Sequence, residues 1–265
     1  MSAPAPAASP SLWKRALLRG WPLLSAVLPR RHRAHRFAGG RIYLDVAESP
    51  MMLARALGLY EVEKTEALRT FLRPGGVFVD IGGNKGDFAL LAGKLVGASG
   101  RVFVFEPAPS NCEWIERSIA LNGYRSIELF PIALGDREGE ITLHLSSVSG
   151  HHSVVAPRSD GTGKAVRVPV RTLDTVLAEH GAPRVDVLKI DVEGADMAVL
   201  QGATRTLSAN RDLVIFFDVH PQLGVDALAV CALLRSLGFK LYALQRPFDR
   251  PLEPRADLLE LLARR

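Results

Sequence analysis

Short apolar runs alternate along most of this chain with stretches in which apolar residues recur every three or four positions. RIYLDV, from residue 41, predicts a strand. MMLARALGLYEVEKTEALRTFL follows with apolar residues at helical spacing and predicts two helices broken near Gly58. LRPGG closes that section with turn chemistry. VFVDIGG then predicts a short buried strand and DFALLAGKLV a helix. RVFVFEP and NCEWIERSIALNG repeat the pair, with Gly123 as the helix stop. SIELFPIALGD predicts a third strand with its turn. The pattern then changes, because EITLHLSS and AVRVPVRTL read as strands separated by the polar, Gly-rich VSGHHSVVAPRSDGTG. RVDVLKIDV returns to buried strand, ADMAVLQGATRTLS to helix, DLVIFFDVH to strand and VDALAVCALLRSLG to helix. FKLYALQ predicts a late strand and RADLLELLARR a final short helix.

Strands alternating with helices of this length indicate an α/β fold with a doubly wound parallel sheet. The expected organisation is a basic arm over 1–40 and one domain over 41–265. That domain divides into a cap at 41–74, a Rossmann-like core at 75–245 carrying a small β insertion at 138–172, and a tail at 246–265.

Charge refines the picture. Residues 1–44 hold eight Lys or Arg and no acid, whereas the remainder has 25 bases against 28 acids, a net of −3. The basic character therefore belongs to the arm, which argues against a nucleic-acid groove across the body. Within the arm, the apolar core WPLLSAVL has eight residues, too few to span a bilayer, and no clean cleavage site follows it. Two readings stay open: an N-terminal helical extension contacting the inner face of an anionic membrane peripherally, or a solvated, partly helical extension. Cys112 and Cys231 fit neither a disulfide framework nor a metal motif, so a reducing, cytoplasmic compartment is the default.

The most informative chemistry lies in Asp80-Ile81-Gly82-Gly83-Asn84-Lys85-Gly86, where a buried strand ends and a helix begins at once. Glycines there let a ligand approach the backbone, and open α/β sheets bind ligands at this edge. The dinucleotide spacing of glycines at n, n+2 and n+5 is absent, because Asn84 and Lys85 occupy the needed positions. That weakens an NAD-linked oxidoreductase. Asp80 would repel a pyrophosphate and suits a cationic ligand. S-adenosylmethionine carries both an ammonium and a sulfonium. Glu106 ends the next strand, 24 residues after Gly82, where an acid can accept both hydrogens of a ribose diol.

DIGGNKG, FEP, LNG, ALGD…GE, LKIDVEGAD and FFDVHP, in that order, resemble the FkbM-type methyltransferases over residues 56–221. The resemblance implies a class I methyltransferase fold, S-adenosylmethionine as methyl donor, and O-methylation of sugars or polyketide-like hydroxyls. It also implies that Asp80, Gly82, Asn84 and Gly86 hold the methionine end and that Glu106 holds the ribose. Ala133 and Leu134 would line the adenine pocket, and Glu61 is the acid such chains keep near the donor. Gly83 stands where alanine is usual. Asp218 stands where glutamate is commoner, one methylene shorter.

Charges inside an apolar strand are costly unless paired or in use. Lys189, Asp191 and Glu193 alternate at the end of VDVLKIDV, and Asp218 and His220 do the same at the end of FFDVH. Both sets are expected at one mouth. Asp191 and His220 are the candidate general bases, and Lys189 is placed to pair with a carboxylate or to stabilise an alkoxide. A divalent metal on Asp191, Asp218 and His220 is a second reading, and an ion-pair network ordering the strand end is a third. His151 and His152 read either as a lid or acceptor loop or as exposed loop histidines. The expected partner is a small-molecule or glycan acceptor. N- or C-methylation of a small metabolite and a non-catalytic scaffold remain as alternatives. The insertion offers a sheet edge that could pair subunits, without fixing an oligomeric state.

Overall fold

The computed structural model describes residues 12–28, 30–146, 161–182 and 184–265; His151 and His152 lie outside them. Helix α1 (Leu12–Val27) leads to a hairpin of β1 (Arg33–Phe37) and β2 (Gly40–Leu44). Helix α2 (Pro50–Ala56) starts on Ser49, whose side chain accepts from the Met52 N–H, and α3 (Val62–Phe71) completes the cap. The core then runs β3 (Val77–Ile81), α4 (Asp87–Val96), β4 (Arg101–Phe105), α5 (Pro109–Asn122), β5 (Ile127–Phe130) and β6 (Ala133–Leu134). It continues through β7 (Gly139–Ser146), β8 (Gly161–Arg171), α6 (Leu173–Glu179), β9 (Val187–Ile190), α7 (Asp196–Gln201) and α8 (Thr204–Ala209). It closes with β10 (Val214–Asp218), α9 (Ala227–Ser236), β11 (Lys240–Tyr242) and β12 (Glu260–Arg264).

Seven strands form the main sheet in the order β11-β12-β10-β9-β3-β4-β5. The five consecutive strands from β10 to the edge strand β5 are parallel, whereas β12 runs antiparallel to both β10 and β11. This order, with one reversed strand next to an edge strand, is that of the class I methyltransferases. Strand order switches direction between β3 and β9, whose last residues Ile81 and Ile190 are direct partners. Ligand crevices open at such a switch point. Strand alternation splits the core into two layers. Val79, Ile81, Phe103 and Phe105 pack on one side of the sheet, and Phe78, Val102 and Val104 on the other.

Several expectations change. The tail is the strand β12, not a helix: Leu261, Leu262 and Ala263 are covered on both faces between β10 and β11, so the polar alternation that marks a strand is missing. The expected single helix after β9 is two, α7 and α8, broken at Gly202. A Cβ there would lie 1.9 Å from the Gly135 carbonyl oxygen. SIELFPIALGD supplies two strands in different sheets, because β6 joins β8 and β7. Within the arm, β1 pairs with β2, and His32 stacks on Trp114 of α5 at 3.7 Å.

Candidate active site

The glycine turn is held from three sides. The Gly82 and Gly83 N–H groups donate to the Phe105 carbonyl at 2.9 and 3.1 Å. Gly82 has φ +79, and a Cβ there would lie 1.8 Å from the Asp191 carbonyl oxygen, so no other residue fits without displacing the end of β9. The Asn84 N–H donates to Glu106 Oε2 at 2.7 Å, and Glu106 Oε1 accepts from the Ala108 N–H at 2.8 Å and Asn111 Nδ2 at 3.3 Å. Burial pushes Glu106 up to about 7, against the opposing pull of those hydrogen bonds.

Above the turn opens a cavity of about 300 Å³. Gly82, Asn84, Glu106, Ala133, Leu134 and Asp191 all line it, drawn from β3, β4, β6 and β9 or the turns that follow them. A buried acid, an apolar wall and a glycine turn fit an adenosyl donor. Asp80, Gly86, Glu61, Lys189 and His220 are outside this lining. Asp80 is fully buried beneath the turn, and burial pushes it up to about 6 with Lys189 opposing.

The charges at the end of β9 form one connected network. Buried Lys189 stands 3.4 Å from Asp80 and 3.5 Å from Asp191, and it donates to the Gly82 carbonyl at 3.2 Å. Burial alone would lower its pKa; Asp80 and Asp191 together raise it instead. The Asp191 N–H is tied to the Ile81 carbonyl at 3.1 Å. His220 lies between two carboxylates, Asp191 at 3.4 Å and the fully buried Asp196 at 3.1 Å. Burial opposes its charge, but those partners carry it up to about 10, so it is an imidazolium at neutral pH. Asp191 is held well below the usual carboxylate range: burial works against this, and Lys189, His220 and Lys64 outweigh it. On the other side Lys64 bridges Asp218 at 2.6 Å and Glu61 at 3.2 Å. Asp218 is pushed up to about 7 by burial, against Lys64 and with Asp191 and Glu61 adding.

The metal set expected from the sequence is divided by this geometry. Asp191 gathers with Glu193 and His220 on one side and with Glu61 and Asp218 on the other. A ligating imidazole must be neutral, so a metal on His220 would have to displace the proton that Asp191 and Asp196 favour. In the second group Lys64 already supplies the cation. Both groups already sit against a protein cation, Lys189 beside Asp191 and Lys64 beside Asp218 and Glu61. Glu193 joins the cavity lining although β9 ends at Ile190, because the chain turns at Glu193 with φ +48. Asp196 and Lys64 were not singled out by their sequence context. Asp196 sits inside LKIDVEGAD, and the position of Lys64 on α3 gave no sign of its partner 154 residues away.

Fold and switch-point cavity together are those of an S-adenosylmethionine-dependent methyltransferase. The chain belongs to the FkbM methyltransferase family: the methyltransferase FkbM domain model matches residues 80–241. It is 28% identical over 209 residues to methyltransferase 1 of Beauveria bassiana, covering 71% of this chain and 80% of that one. It is 31% identical over 204 residues to the 31-O-demethyl-FK506 methyltransferase FkbM of Streptomyces tacrolimicus, covering 66% and 77%. The hexuronic acid methyltransferase AglP of Haloferax volcanii is 29% identical over 164 residues, covering 60% of this chain and 61% of that one.

Proposed function

We propose that the protein methylates a hydroxyl of a sugar, a glycan or a polyketide-like small molecule. The observation that carries this is Asp191: a carboxylate at the switch point that lines the donor cavity while Lys189 and His220 fix it from behind. A bound donor would supply a methyl group already activated on sulfonium. Gly82 and Asn84 would cradle its methionine end, Glu106 its ribose hydroxyls, and Ala133 and Leu134 its base. The chain's remaining task is to orient an acceptor and receive its proton. Asp191 accepts a hydrogen bond from the acceptor hydroxyl and so aims its oxygen. Lys189 and His220 are positioning residues in this reading, because their donors are spent on Asp191, Asp80, Gly82 and Asp196. In this reading His220, held between Asp191 and Asp196, favours its charged form, and Asp191 is the proton acceptor. The relatives support the same class, since one name places the methyl on oxygen and another names a sugar acid.

The weak basicity of Asp191 favours one second reading, N-methylation of an amine, which needs less help in losing its proton. A screen of hydroxylated against amino acceptors separates the two. For the first, Asp191→Asn should lower kcat by about 100-fold or more while S-adenosylhomocysteine affinity stays within about threefold. Unchanged turnover in that variant removes Asp191 from the reaction.

A further inference from the structure

A second cavity, of about 810 Å³, lies between α4, the β1–β2 hairpin and the cap helices, and it shares no lining residue with the donor cavity. Four arginines line it, Arg36, Arg41, Arg55 and Arg69, against a single acid, Asp87. Arg36 and Arg41 are direct partners across the hairpin. Residues so paired present their side chains to the same face, where like charges destabilise the strands. Among the described residues neither forms an ion pair, and nor does Arg69 on α3.

Arg55 is the most telling. It is only 4% exposed, its Nε donates to Asp87 Oδ1 at 3.2 Å, and its guanidinium lies 3.8 Å from the centre of the Tyr60 ring. Its two terminal nitrogens have no hydrogen-bond partner among the described residues. Those two nitrogens are not among the buried atoms left unsatisfied, so they remain available on the cavity wall to a ligand. The planar fork of Arg55 matches the oxygens of a carboxylate or phosphate.

One wall of this groove packs against the charge network around Lys189. Asp87 opens α4 directly after the glycine turn, and Phe88, also on the groove wall, has its ring centre 5.6 Å from Lys189 Nζ. Tyr60 precedes Glu61, whose carboxylate gathers with those of Asp191 and Asp218. The groove and Asp191 therefore flank the same short segment, Tyr60 and Glu61.

We propose that this groove binds the anionic portion of the acceptor, a saccharide or similar small molecule bearing a carboxylate or a phosphate. The assignment rests on the hydroxyl-methylation reading above. It is tested by titrating the full chain at low ionic strength with methyl glucuronide, pyrophosphate and neutral methyl glucoside. Each titration is run with and without S-adenosylhomocysteine. The same is done for Arg69→Ala, for Arg36→Ala combined with Arg41→Ala, and for Arg55→Lys. At least one anion should bind, the neutral glycoside at least about tenfold more weakly, and each variant should lose about tenfold in anion affinity. Donor-product affinity should hold in the two variants that change exposed arginines, which guards against a fold lost at Arg55. Uronate binding without pyrophosphate binding identifies a carboxylate, and the reverse a phosphate. Equal anion binding in wild type and all variants overturns the proposal, as does the absence of anion binding in a chain that still binds S-adenosylhomocysteine. Failure to bind S-adenosylhomocysteine strikes the donor reading instead, and the titrations without it still decide the groove.

Discussion

At the scale of single residues, three side chains and one missing side chain set the site. Gly82→Ala would force a Cβ to 1.8 Å from the Asp191 carbonyl at a left-handed φ, so a loss of at least about 2 kcal/mol in urea denaturation and a loss of donor-product binding are expected. Lys189→Met leaves Asp80 buried without its counter-charge; the expected cost is about 3–5 kcal/mol, and a variant of wild-type stability would remove Lys189 from its place as the staple of β3 to β9. Glu106 titrates at about 7 in the folded chain against an ordinary 4.5. The folded state thus holds that proton more tightly, and the contribution of Glu106 to stability falls as pH rises from 4.5 through about 7. With Glu106 holding the ribose as proposed, donor binding should run the other way, because ribose hydroxyls donate best to the ionised carboxylate. Affinity for S-adenosylhomocysteine should rise between about pH 6 and about pH 8, and Glu106→Gln should flatten that rise. His220 acts on stability with the same sign as Glu106. Its partners raise it from 6.5 to about 10, so its stabilisation is complete below 6.5 and disappears as pH climbs through 10.

At the scale of elements, the stability of the far half of the sheet depends on β12. Leu262 is fully buried where β12 fills the gap between β10 and β11, and Leu262→Ala should cost about 2–5 kcal/mol by denaturant titration. This strand was illegible because a strand covered on both faces reads LLA, which helical spacing also accommodates. Elements with stronger punctuation were legible: β3, β4, β9 and β10 are apolar runs ended by Gly, Pro or charge, and α5 stops at Gly123 in a left-handed turn. The two-residue β6 and the seven-residue α6 are too short to leave a period. Site chemistry followed the same rule. Asp80, Glu106, Lys189 and Asp191 stand out because charge interrupts apolar sequence. The groove arginines come from a hairpin and two helices, and each alone looks like an ordinary surface charge until the fold collects them.

At the scale of the whole molecule, the chain sets a basic N-terminal section against a mildly acidic body. No helix of the described residues is long and apolar enough to cross a membrane. Leu23 and Val27 of α1 are 80% and 78% exposed, shortly before Arg30 and Arg31. Peripheral docking of this section on an anionic surface predicts co-sedimentation with phosphatidylglycerol vesicles but not with phosphatidylcholine vesicles, lost at high salt and on deletion of residues 1–31. Equal recovery on both lipids would leave the section a solvated extension. The central claim is the donor site at the switch point, and calorimetric titration of the purified chain with S-adenosylhomocysteine, alongside NAD, tests it most directly. The account predicts saturable binding of S-adenosylhomocysteine at one site per chain, abolished by Gly82→Ala, with no binding of NAD. Binding of NAD alone, or of neither ligand, would contradict it.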